Sequence, residues 1–95
     1  MSAYLILDID VTDPVRFEDY RKLSTAAAAA FGARFLVRGG KTEVWEGDWH
    51  PKRFVVLEFE RAERARAWYD SDLYRPARKL REASARTKMI LVDGV

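Results

Sequence analysis

A chain of 95 residues, 48% hydrophobic and 34% charged, reads as one folded domain (1–95) with a modest core, and excludes a disordered polymer. Seventeen basic and fifteen acidic residues, mixed along the chain, leave a formal charge of +2; this permits an anionic partner and dictates none. Cysteine is absent, which removes disulfides and thiolate metal sites, and no basic segment followed by a long charge-free apolar run is present; a cytoplasmic protein with no membrane partner is expected.

Residues 3–11, AYLILDIDV, are rich in β-branched and large apolar side chains and read as a first strand, with Asp8 and Asp10 on one side. A helix start follows at Thr12-Asp13-Pro14, where Asp13 suits the N-cap and Pro14 the first helical position. Phe17, Tyr20, Ala27 and Phe31 then recur at helical spacing with Ala28 beside them, and Gly32 supplies the stop. The alanine run 26–30 is favourable in a helix and allows close approach to a sheet.

ARFLVRGG predicts a second strand ending in a Gly39-Gly40 turn, and KTEVWEGDW a return strand or hairpin arm broken by Gly47. KRFVVLEFE, beyond Pro51, is the clearest strand in the chain. A helix over 61–70 puts Ala62, Ala65, Trp68 and Tyr69 on one face. A third helical segment carries Leu73, Ala77 and Leu80 at i, i+4 and i+7, with Pro76 tolerated in its first turn, and TKMILVDGV closes the chain as a strand. The resulting order, β-α-β-β-β-α-α-β, predicts the α+β class: a ferredoxin-like split βαβ sandwich with an antiparallel sheet and an added hairpin arm.

The strands are apolar on both faces. Tyr4 and Ile6 oppose Leu5, Leu7 and Ile9; Val55, Leu57 and Phe59 oppose Phe54 and Val56; Met89 and Leu91 oppose Ile90 and Val92. Helices in such a plan cover one face only, and a wet second face should alternate apolar with polar residues. An apolar second face is expected to be an interface, most economically with a second copy about a two-fold axis.

Four blocks, GARFLVRGG, EGDWHPKRFVVLEFE, AWYDSDLYRPARKLR and LVDG, resemble the domain of unknown function 1330 family, a member of the dimeric α+β barrel superfamily, over nearly the whole chain and in order. The resemblance implies a ferredoxin-like protomer that dimerises through its sheet face into an α+β barrel. It implies no assigned activity, although the superfamily includes cofactor-independent and haem-using monooxygenases and small isomerases. Its functional-looking positions map onto Arg38, Gly39, Gly40, Gly47, Trp49, Pro51, Arg53, Trp68, Tyr69, Tyr74 and Arg81. His50 occupies a variable position within its G-D-W-x-P-x-R frame, and ERAER stands where the family more often has a proline-serine turn.

The lone histidine, His50, is the candidate general base; alone it makes no metal site, and a solvated loop histidine is the plainer reading. Arg38-Gly39-Gly40 reads either as a tight turn or as an anion cradle on which Arg53 and Arg81 converge. Trp68 reads as core, with Tyr69 and Tyr74 as the rim of a cleft. Glu58, interrupting FVVLEF, should meet an arginine or sit near solvent, and Asp8 and Asp10 are read as structural rather than catalytic.

KRFVVLEF also mimics the third strand of an RNA-recognition motif, but Arg53, Val55 and Val56 replace its glycine, its small residue and one stacking aromatic; no nucleic-acid partner is expected. Neither GxxxxGK nor GxGxxG occurs, and no histidine lies on a main helix to ligate haem; no cofactor and no metal are expected. The function expected is therefore a homodimer binding a small anionic or polar-aromatic molecule in a cleft between sheet and helices. Its ligand-binding residues would be Arg38, Trp49, Arg53, Tyr69, Tyr74 and Arg81. The alternative is a cofactor-independent monooxygenase or isomerase with His50 or a tyrosine as base.

Overall fold

The computed structural model describes residues 1–95. Its elements are β1 (Ala3–Val11), α1 (Pro14–Ala30), β2 (Arg34–Arg38), β3 (Arg53–Phe59), α2 (Ala62–Tyr69), α3 (Arg75–Ser84) and β4 (Ala85–Asp93). The four strands form one antiparallel sheet in the order β2-β3-β1-β4, with all three helices on one side; this is the ferredoxin-like arrangement.

The start of α1 follows from local chemistry. Asp13 is extended, its side chain accepts a hydrogen bond from the Arg16 amide at 3.2 Å, and Pro14 sits where no helical amide is needed. The helix ends as Gly32 takes a φ of 71°, a left-handed conformation that a side chain would resist. Between these ends Phe17, Tyr20, Ser24, Ala27 and Ala28 are buried, the face set by the helical repeat.

The core lies between that face and one side of the sheet. Leu5, Leu7 and Ile9 of β1 and Val55, Leu57 and Phe59 of β3 point into it, meeting Ala65 and Trp68 of α2 and Ala77 of α3. Each large side chain so buried stabilises the fold by about 1.5–3 kcal/mol before entropy is counted. The opposite side carries Tyr4, Ile6, Phe54 and Val56, all half-buried, beside Ile90, which is 62% exposed; no helix covers it.

Two sequence expectations are corrected here. The hairpin arm over 41–49 is not a strand: residues 39–52 form one long connection between β2 and β3, and positions 41–50 are all exposed. Val44 and Trp45 have strand-forming side chains, but β2 already pairs with β3 and leaves them no neighbouring strand to bond. Leu73 is not a core residue either, being 55% exposed, and α3 begins two residues later. Ser71 sets this: its hydroxyl donates to the Trp68 carbonyl at 2.7 Å and accepts from the Tyr74 amide at 3.1 Å, a turn that swings Tyr74 inward in place of Leu73.

β2 is shorter than expected and irregular. Its register with β3 shifts between Phe35 and Val37, so Leu36 is left exposed and Arg38 returns to the helix-facing side opposite Val55.

Candidate functional site

The expected ligand-binding residues fall into four places, and only some of them come together. At the far end of β2 and the start of β3, Arg38 and Arg53 lie on the helix-facing side beneath α1. The Arg38 guanidinium stacks 4.0 Å above the Phe35 ring and donates from Nη2 to Thr25 Oγ1 at 2.6 Å; Thr25 in turn donates to the Arg21 carbonyl. Arg53 lies 5.6 Å over the Phe17 ring and packs against the Gly39 backbone. A Cβ on Gly39 would come 2.5 Å from Arg53 Nη1, and its φ of 73° is one that glycine adopts readily. Burial first, and the Arg21 charge second, lower the pKa of both guanidinium groups below the ordinary arginine value.

Tyr74 and Arg81 belong to a second place, the seam between α1 and α3. Tyr74 is fully buried rather than at a cleft rim. Its hydroxyl shares a 3.0 Å hydrogen bond with that of Tyr20 and accepts from Arg81 Nε at 3.4 Å. Its ring lies against Trp68, with centroids 3.9 Å apart. Burial first, and Tyr20 second, push its phenol pKa far above the ordinary tyrosine value, so Tyr74 keeps its proton at neutral pH and does not start as a base. Arg81, itself buried, supplies charge that this polar network shares.

Trp49 and His50 are on the other face of the sheet. Trp49 Nε1 donates to Asp8 Oδ2 at 2.9 Å, and the Lys52 amide donates to Asp8 Oδ1 at 3.0 Å, so one carboxylate pins the connection after Gly47 across the open face. These bonds, with that from Trp49 the larger, hold Asp8 below its ordinary pKa. The exposed His50 lines a shallow groove of about 570 Å³ with Asp8, Asp10, Asp48, Lys52, Arg86 and Lys88. No three of its acidic and histidine side chains are placed to share a metal ion. Glu58 meets Arg34 as expected, accepting from its Nε at 3.1 Å, and is held below the ordinary glutamate pKa by that contact.

Tyr69 lines a separate cavity, of about 370 Å³, between α2 and β4. Leu5, Ala65, Trp68, Met89, Ile90 and Leu91 make it apolar, while Arg66 and Asp70 stand beside Tyr69. Trp68 is buried, as its spacing predicts, yet its Nε1 has no hydrogen-bond partner. A buried indole N–H normally finds one, so this unpaired donor calls for an explanation.

Sequence reasoning missed three of the residues that give these places their chemistry. Tyr20 reads only as a core aromatic, although its hydroxyl shares the buried hydrogen bond with that of Tyr74. Arg21 and Thr25 carry no motif and matter because α1 lies over β2 and β3. Trp68 is correctly read as core, but an unpaired N–H leaves no trace in a sequence.

No curated protein matches the chain. In fold it is similar to RPA0582, a protein of unknown function from Rhodopseudomonas palustris, with a TM-score of 0.80 at 13% identity over 99% of this chain and 82% of that one. It is also similar to SnoaB, a cofactor-independent oxygenase from Streptomyces nogalater, with a TM-score of 0.57 at 14% identity over 99% and 93% of the two chains. A conserved protein from Methanosarcina mazei Go1 gives a TM-score of 0.58 at 13% identity over 100% and 95%. At such identities the likeness carries the fold and leaves chemistry to the residues. Residues 2–95 match the family model described as Domain of unknown function (DUF1330), and the chain belongs to that family.

Proposed function

We propose that this protein binds a small polar-aromatic molecule in the cavity between α2 and β4, as a homodimer joined through the open face of its sheet. The observation that carries the reading is an apolar cavity of about 370 Å³ lined by Trp68, a residue whose buried N–H has no partner in the chain. That combination suits a flat ligand with one acceptor atom: the walls remove its rings from water while the indole fixes its orientation. Tyr69 would present a hydroxyl near the mouth.

The dimer rests on a different feature. Ile90 and Val92 are exposed on β4 beside half-buried Tyr4, Ile6 and Val56, a contiguous apolar surface on a face that no helix covers.

The cavity is tested with a panel of phenols, quinones and hydroxylated aromatics, read by thermal shift and by calorimetry. Binding should be weakened by Trp68→Phe, which keeps an aromatic ring and removes the N–H, and abolished by Met89→Trp, which fills the space. A ligand whose affinity neither substitution changes would sink the assignment.

A second reading is an enzyme acting on the same molecule without a cofactor. Trp68 Nε1 could stabilise an oxyanion, and Asp70 lines the same cavity as a candidate base, whereas His50 is on the opposite face. Turnover of a bound quinol that vanishes in Asp70→Asn and survives His50→Ala is the result this reading requires.

A further inference from the structure

The arginines of this chain are partnered in an unusual pattern. Arg34, Arg61, Arg66 and Arg75 are exposed and each has a carboxylate within ion-pair distance, where such pairing contributes little. Arg38 and Arg53 are half-buried, where an unbalanced charge is costly, and neither has one. Arg21 joins them from α1, and its one acid, Glu18, bonds to its Nη1 at 2.7 Å from the solvent side. Arg21 Nε, shielded from water, donates to nothing in the chain. Three guanidinium groups and one carboxylate therefore leave a local excess of two positive charges on the helix-covered side of the sheet.

We propose that Arg21, Arg38 and Arg53 form a binding site for a small dianion, a phosphate monoester or a dicarboxylate, distinct from the cavity beneath α2. The three come from α1, β2 and β3, and the two on the strands are held by something other than an acid. Arg38 is fixed by the Phe35 ring and Thr25 Oγ1, and Arg53 by the Phe17 ring and the bare backbone of Gly39. Stacking holds a guanidinium by its face and leaves its edge, where the donors lie, free for an oxyanion. Gly39 belongs to the site by its lack of a side chain: any Cβ there would drive Arg53 from its place. An entering dianion would cancel the excess charge and supply the acceptor that Arg21 Nε lacks.

Thermal unfolding with sodium phosphate, sodium succinate, sodium acetate or sodium chloride at matched ionic strength tests the site on the intact protein. For a Kd of about 1 mM, about 10 mM phosphate raises Tm by roughly 5 °C or more over chloride. Succinate does the same and acetate does much less. Arg53→Gln and Arg38→Gln each bring the phosphate shift down to that of chloride, and in chloride Arg53→Gln is no less stable than the parent because it relieves repulsion. No shift beyond matched chloride, or an equal shift in both variants, overturns the proposal. Should a variant fail to fold, the parent titrated with phosphate and followed by arginine Nε–Hε resonances gives the answer. Saturable movement of Arg21, Arg38 and Arg53 supports the site, and movement confined to other arginines overturns it. Phosphate binding that is unaffected by Met89→Trp separates this site from the cavity.

Discussion

The two faces of β1 both carry large apolar side chains, and these meet opposite fates. Leu5, Leu7 and Ile9 point toward the helices and are buried; Tyr4 and Ile6, their immediate neighbours, point to the open side and stay half-exposed. The same alternation runs through β3 and β4. The polar residues differ in kind as well. Beneath the helices they are aromatic hydroxyls and guanidinium groups tied into the packing, whereas on the open face Asp8 and Asp10 stand opposite Lys88 and Arg86 in cross-strand pairs. One face has the chemistry of a core with sites built into it; the other has that of a surface with an apolar half and a charged half.

The contrast is broken most severely by Leu7→Ala. Leu7 is essentially buried, and its truncation should cost about 2–5 kcal/mol in urea unfolding, while Ile6→Ala next to it costs much less in a dissociated protomer. Equal losses would mean that the two faces are not energetically distinct.

Ile90→Asp tests the proposed pairing of open faces. Sedimentation should show the parent as a dimer and the variant as a monomer with an unchanged circular dichroism spectrum, since Ile90 contributes nothing to the helix-side core. A parent that sediments as a monomer at micromolar concentration removes the dimer from the reading.

Tyr74→Phe probes the polar seam beneath the helices. It leaves the Tyr20 hydroxyl and Arg81 Nε without their shared partner, at an expected cost of about 1–3 kcal/mol. A neutral outcome would show that water replaces the phenol and that the seam is wetter than its burial indicates.

The smallest effect concerns Asp8. Its folded pKa lies below the unfolded value of about 3.9, so the contribution of its bonds to Trp49 and Lys52 is complete above that unfolded value and disappears as pH falls through the folded one. Trp49 fluorescence should therefore report release of the 39–52 connection at acidic pH, ahead of global unfolding. Asp8→Asn should remove that acid transition, and an unchanged profile in the variant would assign it to another group.

Much of this could be read in the sequence because local rules and tertiary packing agree. Asp13-Pro14 and Gly32 bracket α1, and the spacing of Phe17, Tyr20, Ala27 and Ala28 marks its buried face. Ala65 and Trp68 do the same for α2, and Glu58 needed an arginine and has one. The misreadings occur where local propensity lacks a tertiary partner. Val44 and Trp45 look like strand residues and pair with nothing, and Leu73 falls on a helical period that the Ser71 turn interrupts. The sites were legible only as ingredients: Arg38 and Arg53 stand out in sequence, but their missing acids, the nearness of Arg21 and the unpaired Trp68 N–H do not.

What the sequence by itself determined is the order of elements, their amphipathic faces and the second apolar side of the sheet, because each depends on residues a few positions apart and on the two periods of helix and strand. Only the tertiary structure decided which polar groups meet. It separated Trp49 and His50 from Arg38 and Arg53 by the thickness of a sheet, sent Tyr74 inward to Tyr20, and brought Arg21 near Arg38 and Arg53. The physical reason is range: a strand or helix is chosen by its neighbours in the chain, whereas the balance of a buried charge depends on elements that sequence separation keeps far apart.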